Sequence, residues 1–264
     1  MIKKAISYLL IFIGIQLLGG VVMNQAWTLF SDATDQTVAQ LVTTTTVISM
    51  VVIAVFLACR WTQVSPAWLR TRPWMVLIWS VIAALGAIIP LLWIQEQMPE
   101  LPNWMESEFD MILKNRWGYL AIGLLAPLAE EIVFRGAILR SLLNAPRLSP
   151  WGAISISALM FALIHMNPVQ MPNAFVVGLL LGWMYWRTGS ILPGMAYHWA
   201  NNSVAYVMYN LYPNSDMKLV DLFKGSETHV LMAVFFSLLI LVPSIFQLNV
   251  WMRKEDGKNE QSRG

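Results

Sequence analysis

The stretch "LAEEIVFRG" places two adjacent glutamates, Glu130 and Glu131, and an arginine, Arg135, inside an apolar run that begins near Trp117. The chain's other acidic residues fall in loops or in the tail. Two histidines also lie in apolar runs, His165 in "ISALMFALIHMNP" and His198 in "GMAYHWANNSVAY". Ionisable groups in such runs are costly unless paired or hydrogen-bonded, and they mark function by default. A carboxylate beside water can take a proton from it, which is the work of a general base.

Spacing separates these groups. Glu131 and Arg135 are four residues apart, one helical turn, and form an ion pair on one face. Glu130 points ~100° away from Glu131 and has no such partner. Pro127 cannot donate to the carbonyl of Gly123 and loosens the helix there, making room for water or an extended peptide. Phe161 and His165 share one helical face, and Pro168 discourages continuation beyond them. His198 and Asn202 share another face, with Asn201 on a neighbouring stripe. They act either as glue between helices or as the lining of a wet cavity shared with Glu130 and His165. "GLLLG", Gly178 to Gly182, is read as a packing motif that lets helices approach closely.

Eight apolar segments must position these groups: 5–23, 38–58, 74–94, 117–134, 151–167, 173–187, 191–209 and 229–250. Apolar residues make up 57% of the chain and charged ones 12%, about half the charge of a soluble domain, so the expected fold is an all-α membrane bundle. Residues 1–250 form one bundle, and 251–264 form a polar, disordered tail. The N-terminal stretch is read as the first span, because its apolar part exceeds a signal core and no small-x-small cleavage site follows. If the chain starts inside, only Lys114, Arg116, Lys218 and Lys224 of the 17 basic residues fall outside, so both termini are expected in the cytoplasm. A bacterial inner membrane is the expected location. The stretch between the third and fourth segments is read as a solvated loop with aromatic anchors, an interfacial helix being the alternative. The net charge of +2 gives no case for nucleic acid. The single cysteine, Cys59, excludes an internal disulfide and a Cys-based metal cluster, and is read as a small hydrophobe. Helical rise puts Glu130 and His198 each about 10 Å from the cytoplasm but His165 about 21 Å deep, a mismatch.

Together these segments resemble the CAAX-protease and bacteriocin-processing family of intramembrane proteases, which includes the type II CAAX prenyl endopeptidases. "EEIVFRG" is similar to the family's Glu-Glu-x-x-x-Arg motif, "FALIH" to Phe-x-x-x-His, and "HWANN" to His-x-x-x-Asn. The resemblance covers about residues 117–210 and implies an eight-helix intramembrane endopeptidase. Carried over, Glu130 activates water and His165 assists. His198 and Asn202 bind water or the oxyanion, and Glu131 and Arg135 support the site. The implied partners are membrane lipid and a peptide or protein substrate, of membrane-associated or prenylated type. Glu130, His165 and His198 are the ligands zinc would take. Because there is no His-Glu-x-x-His motif and asparagine is a poor zinc ligand, metal-independent catalysis is favoured. A transporter or proton or cation channel, and a non-catalytic peptide-binding scaffold, are the rival readings.

Overall fold

The computed structural model describes residues 1–29, 37–63, 73–212 and 217–252, so the polar tail expected after residue 252 lies outside the described residues. Among them the chain is helical, without a strand. Among the described residues four helices are long and apolar enough to cross a membrane. They are α1 (Ile2–Thr28), α2 (Val38–Ala58), α3 (Pro73–Glu96) and α10 (Glu227–Met252). α1 and α10 turn Leu17, Leu18, Phe235, Phe236 and Phe246 outward. Apolar surface of that extent suits lipid rather than water, and these helices belong to an integral membrane protein.

The other four predicted segments are helical as well, with shifted ends. The segment expected at 117–134 runs on through 143. This composite helix, α5, combines π-helical Tyr119–Leu125, α-helical Ala126–Glu130, π-helical Glu131–Leu139 and α-helical Arg140–Leu143. α6 (Pro150–Leu163) is started by the Ser149 side chain, which accepts from the Gly152 N–H, and by Pro150 in the first turn. α7 (Met171–Thr188) ends on Gly189, whose φ of 65° gives the left-handed cap that glycine tolerates. α8 (Leu192–Leu211) follows almost at once, and a short α9 (Leu219–Leu222) precedes α10.

Two corrections concern the loops. Residues expected as a solvated loop wind into a short helix, α4 (Glu106–Leu113), with Glu106 and Glu108 in its first turn, where the helix dipole favours negative charge. Trp104 and Trp117 flank it and are exposed, as interface anchors would be. Cys59, expected to be buried like a small hydrophobe, is exposed at the end of α2.

α10 packs along α3, α6 along α7, and α8 against α3. The Gly178–Gly182 pair makes the α6–α7 contact. A Cβ on Gly178 would lie 3.0 Å from the Ala158 Cβ, and one on Gly182 would lie 2.9 Å from Ile154 Cγ2. Gly182→Val should therefore force the two helices apart and lower stability by about 1–3 kcal/mol, read from unfolding in detergent; an unchanged midpoint would show that the contact is not tight.

Candidate active site

Arg135 anchors the site. Its side chain is 1% exposed, yet a guanidinium keeps its charge in proteins. Nη1 donates to Glu131 Oε1 at 2.7 Å, Nη2 donates to the Gly178 carbonyl at 3.3 Å, and the Phe161 ring lies 4.5 Å beneath the guanidinium carbon. The expected pair with Glu131 is thus present, but the spacing rule does not announce the Gly178 carbonyl or the Phe161 face.

Glu131 has a second duty. His198 Nδ1 lies 3.2 Å from the same Oε1, and since a carboxylate only accepts, Nδ1 carries the hydrogen. The other ring nitrogen, Nε2, lies 3.6 Å from Glu130 Oε2. His198 therefore sits between two carboxylates, and Glu130, read from spacing as unpartnered, faces an imidazole. Gly194 makes this packing feasible, because a Cβ there would lie 2.7 Å from Glu131 Oε2. The signal for that was its position one turn before His198.

His165 lies just beyond the end of α6. Its Nδ1 is 2.8 Å from the Phe161 carbonyl, and a carbonyl can only accept. In the neutral ring Nε2 is then left as an acceptor. The Phe161 ring stands edge-on to both His165 and His198, at centroid distances of 4.9 and 5.8 Å. Asn202 Nδ2 donates to the Ile122 carbonyl at 3.1 Å, and its Oδ1 accepts from Asn201 at 3.3 Å. The partner carbonyl of Ile122 was not legible in the sequence. Neither was the chain in which Trp199 Nε1 donates to the Tyr119 hydroxyl, itself 3.0 Å from Ser203 Oγ.

Glu130, His165, His198 and Asn202 all line one cavity of about 420 Å³, whose walls also include Gln95, Asn103 and Glu106. The depth mismatch disappears for two reasons. α5 continues 13 residues beyond Glu130, about 20 Å of helical rise, so Glu130 lies mid-helix. Ser190 and Ile191, from which His198 was counted, are themselves buried in the protein and do not mark a membrane surface.

Among the described residues no three of His, Cys, Asp and Glu come together as a metal-ligand set. The Glu130, His165 and His198 set that zinc would need is not assembled in this geometry, and no step below passes through a metal.

Residues 112–204 match the family model for type II CAAX prenyl endopeptidases, Rce1-like. Over this stretch the chain is similar to the Rce1-like domain. No curated protein and no solved structure matches the chain. The matched stretch runs from the end of α4 into α8, close to the expected 117–210, and contains every polar residue of the cluster from Glu130 to Asn202. The matched model is named for endopeptidases, the class that the three motifs resemble.

Replacing Glu131 by glutamine in this domain leaves Arg135 charged and buried without its counter-ion. Glu131→Gln should cost about 3–5 kcal/mol, measured by unfolding in detergent; a midpoint equal to wild type would mean that another group neutralises Arg135.

Proposed function

We propose that the chain is a glutamate-dependent intramembrane endopeptidase that hydrolyses a peptide bond in a membrane-associated or prenylated-type substrate. The observation that carries this reading is the position of His198, held between Glu131 and Glu130, with Glu130 opening onto a cavity shared with His165 and Asn202. The proposed frame is eight spans with both termini in the cytoplasm of a bacterial inner membrane, residues 1–250 forming one bundle.

In the proposed reaction a water sits between Glu130 and the acceptor nitrogen of His165. Glu130 takes one proton from it, and the hydroxide oxygen bonds to the carbonyl carbon of the scissile peptide. The carbonyl π-electrons move onto oxygen, and this oxyanion receives hydrogen bonds from His198 Nε2 in its doubly protonated form and from the second amide hydrogen of Asn202. The tetrahedral intermediate collapses, the C–N bond breaks, and Glu130 returns its proton to the leaving amine. Glu131 and Arg135 hold His198 and the helix in place. No metal enters this scheme.

A transport reading is opposed by Arg135. Behind Glu130 the polar cluster ends on a buried, permanently charged guanidinium enclosed by Glu131 and Phe161, a fixed obstacle to a proton or cation path.

Glu130→Gln should lower turnover of a peptide library in detergent at least about 100-fold while keeping the wild-type unfolding midpoint, and wild-type turnover should survive washing with a chelator. Undiminished cleavage by Glu130→Gln removes Glu130 as the base, and chelator-sensitive cleavage restored by zinc replaces this mechanism with a metal-dependent one.

A further inference from the structure

We propose that the cavity opens on the non-cytoplasmic side of the membrane, so that its substrate is a peptide segment presented on that face. This deepens the peptidase reading and rests on it for the substrate, though the side of opening stands on separate observations. Hydrogen bonds among helix ends and the turns beside them define two ends of the bundle. At one end Leu219 N donates to Glu96 Oε1, Asn167 Nδ2 donates to Asn103 Oδ1, and Asn210 Nδ2 donates to the Leu113 carbonyl. The cavity walls reach this end at Gln95, Asn103, Glu106 and Gln170. At the other end Ser141 Oγ donates to the Met1 carbonyl and Arg140 Nη2 donates to the Trp61 carbonyl.

Charge divides the same way. Among the described residues the end away from the cavity carries Lys3, Lys4, Arg60, Arg140, Arg147 and Arg187, and no acidic residue. The sequence adds Arg70 and Arg72 between α2 and α3, and four basic residues after α10. The cavity end has Lys114, Arg116, Lys218 and Lys224, outnumbered by carboxylates such as Glu96, Glu106, Asp110 and Glu227. Lysine and arginine are retained on the cytoplasmic side, which puts the cavity mouth on the opposite one. The walls agree with a peptide that brings no terminal carboxylate to the mouth. They contain Glu106, Asp110 and Glu130 and, among the described residues, no lysine or arginine.

The chain's only cysteine supplies the control, since Cys59 is exposed at the end away from the cavity. In intact cells a membrane-impermeant maleimide should label Glu106→Cys made in a Cys59→Ser background, and should label wild-type Cys59 only after the membrane is opened. In addition, a soluble reporter peptide that the wild type cleaves in detergent should be cleaved by right-side-out vesicles and spared by sealed inverted ones. Labelling of Cys59 from outside with Glu106→Cys protected overturns the orientation, as does cleavage confined to inverted vesicles. If no reporter is cleaved even in detergent, the peptidase reading fails, while the labelling still decides where the cavity opens.

A second inference comes from the backbone of α5. In its first π-helical stretch Ala126 N donates to the Ala121 carbonyl, five residues back. The next donor in that register would be residue 127, pointing at the Ile122 carbonyl, but Pro127 has no N–H. The carbonyl orphaned is therefore that of Ile122, not that of Gly123 as ordinary α-helical spacing implies. Asn202 Nδ2 fills the vacancy at 3.1 Å. We infer that Asn202 is a positioning residue as well as an oxyanion donor: it clamps α8 to α5 at the proline and sets the register that presents Glu130.

A cycle of Asn202→Ala, Pro127→Ala and the double variant tests this. The Pro127→Ala change restores a backbone N–H able to serve the Ile122 carbonyl. The expected result is that Asn202→Ala lowers both the unfolding midpoint and kcat, and that adding Pro127→Ala recovers most of the midpoint and at least about tenfold of the lost kcat. A double variant whose losses equal the sum of the single ones overturns the clamp. The midpoint arm reads out even without a cleavable substrate.

Discussion

A guanidinium that cannot lose its charge, buried where water does not reach, constrains everything around it. Arg135 must be neutralised and hydrogen-bonded within the protein. The groups that do so come from separate parts of the chain: Glu131 on its own helix, the carbonyl of Gly178 on α7, and the face of Phe161 on α6. Holding the two terminal nitrogens and the face of this one side chain gathers three helices. Glu131 then uses the same oxygen to hold His198 on α8, so the fourth helix is tied to the cluster by the group that neutralises Arg135. The order around Glu130 follows from meeting the needs of its charged neighbour.

The helix that carries both glutamates is wound for this task. Two stretches of α5 have π geometry, which is rare and concentrates at functional sites. Its backbone groups call on side chains from elsewhere: Asn202 donates to the Ile122 carbonyl, Thr62 Oγ1 to that of Ile132 at 2.6 Å, and Ser157 Oγ to that of Phe134 at 3.3 Å. In lipid every carbonyl left without a donor costs free energy. The irregular helix thus draws its donors from α6, α8 and the turn after α2, which makes the site a property of the bundle and not of one segment.

The stretch that matches the Rce1-like model is framed by helices the match does not include. α3 gives the cavity Gln95, the chain between α3 and α4 gives it Asn103, and α4 contributes Glu106. Leu248 and Met252 of α10 pack in one cluster with Ala83 and Ala84 of α3 and Tyr197 of α8. Part of the cavity wall therefore comes from outside the stretch that matches the family model.

By itself the sequence determined the helical class, the approximate place of the eight long apolar segments, the Glu131–Arg135 pair, the role of Gly178 and Gly182 as a close-packing motif, and the polar residues set in apolar runs. All of these follow from local rules: apolar length, one-turn spacing, the missing side chain of glycine, and the high cost of charge in lipid. Only the tertiary structure decided that Glu131 serves Arg135 and His198 together, that Glu130 faces an imidazole, that α5 continues to residue 143, and that His165 shares a cavity with residues counted to another depth. Spacing along one helix gives relative direction on that helix alone. Which helix lies opposite, and where each begins, depends on contacts between residues far apart in the chain, such as Arg135 with Gly178 and Asn202 with Ile122, and no periodicity within a segment records them.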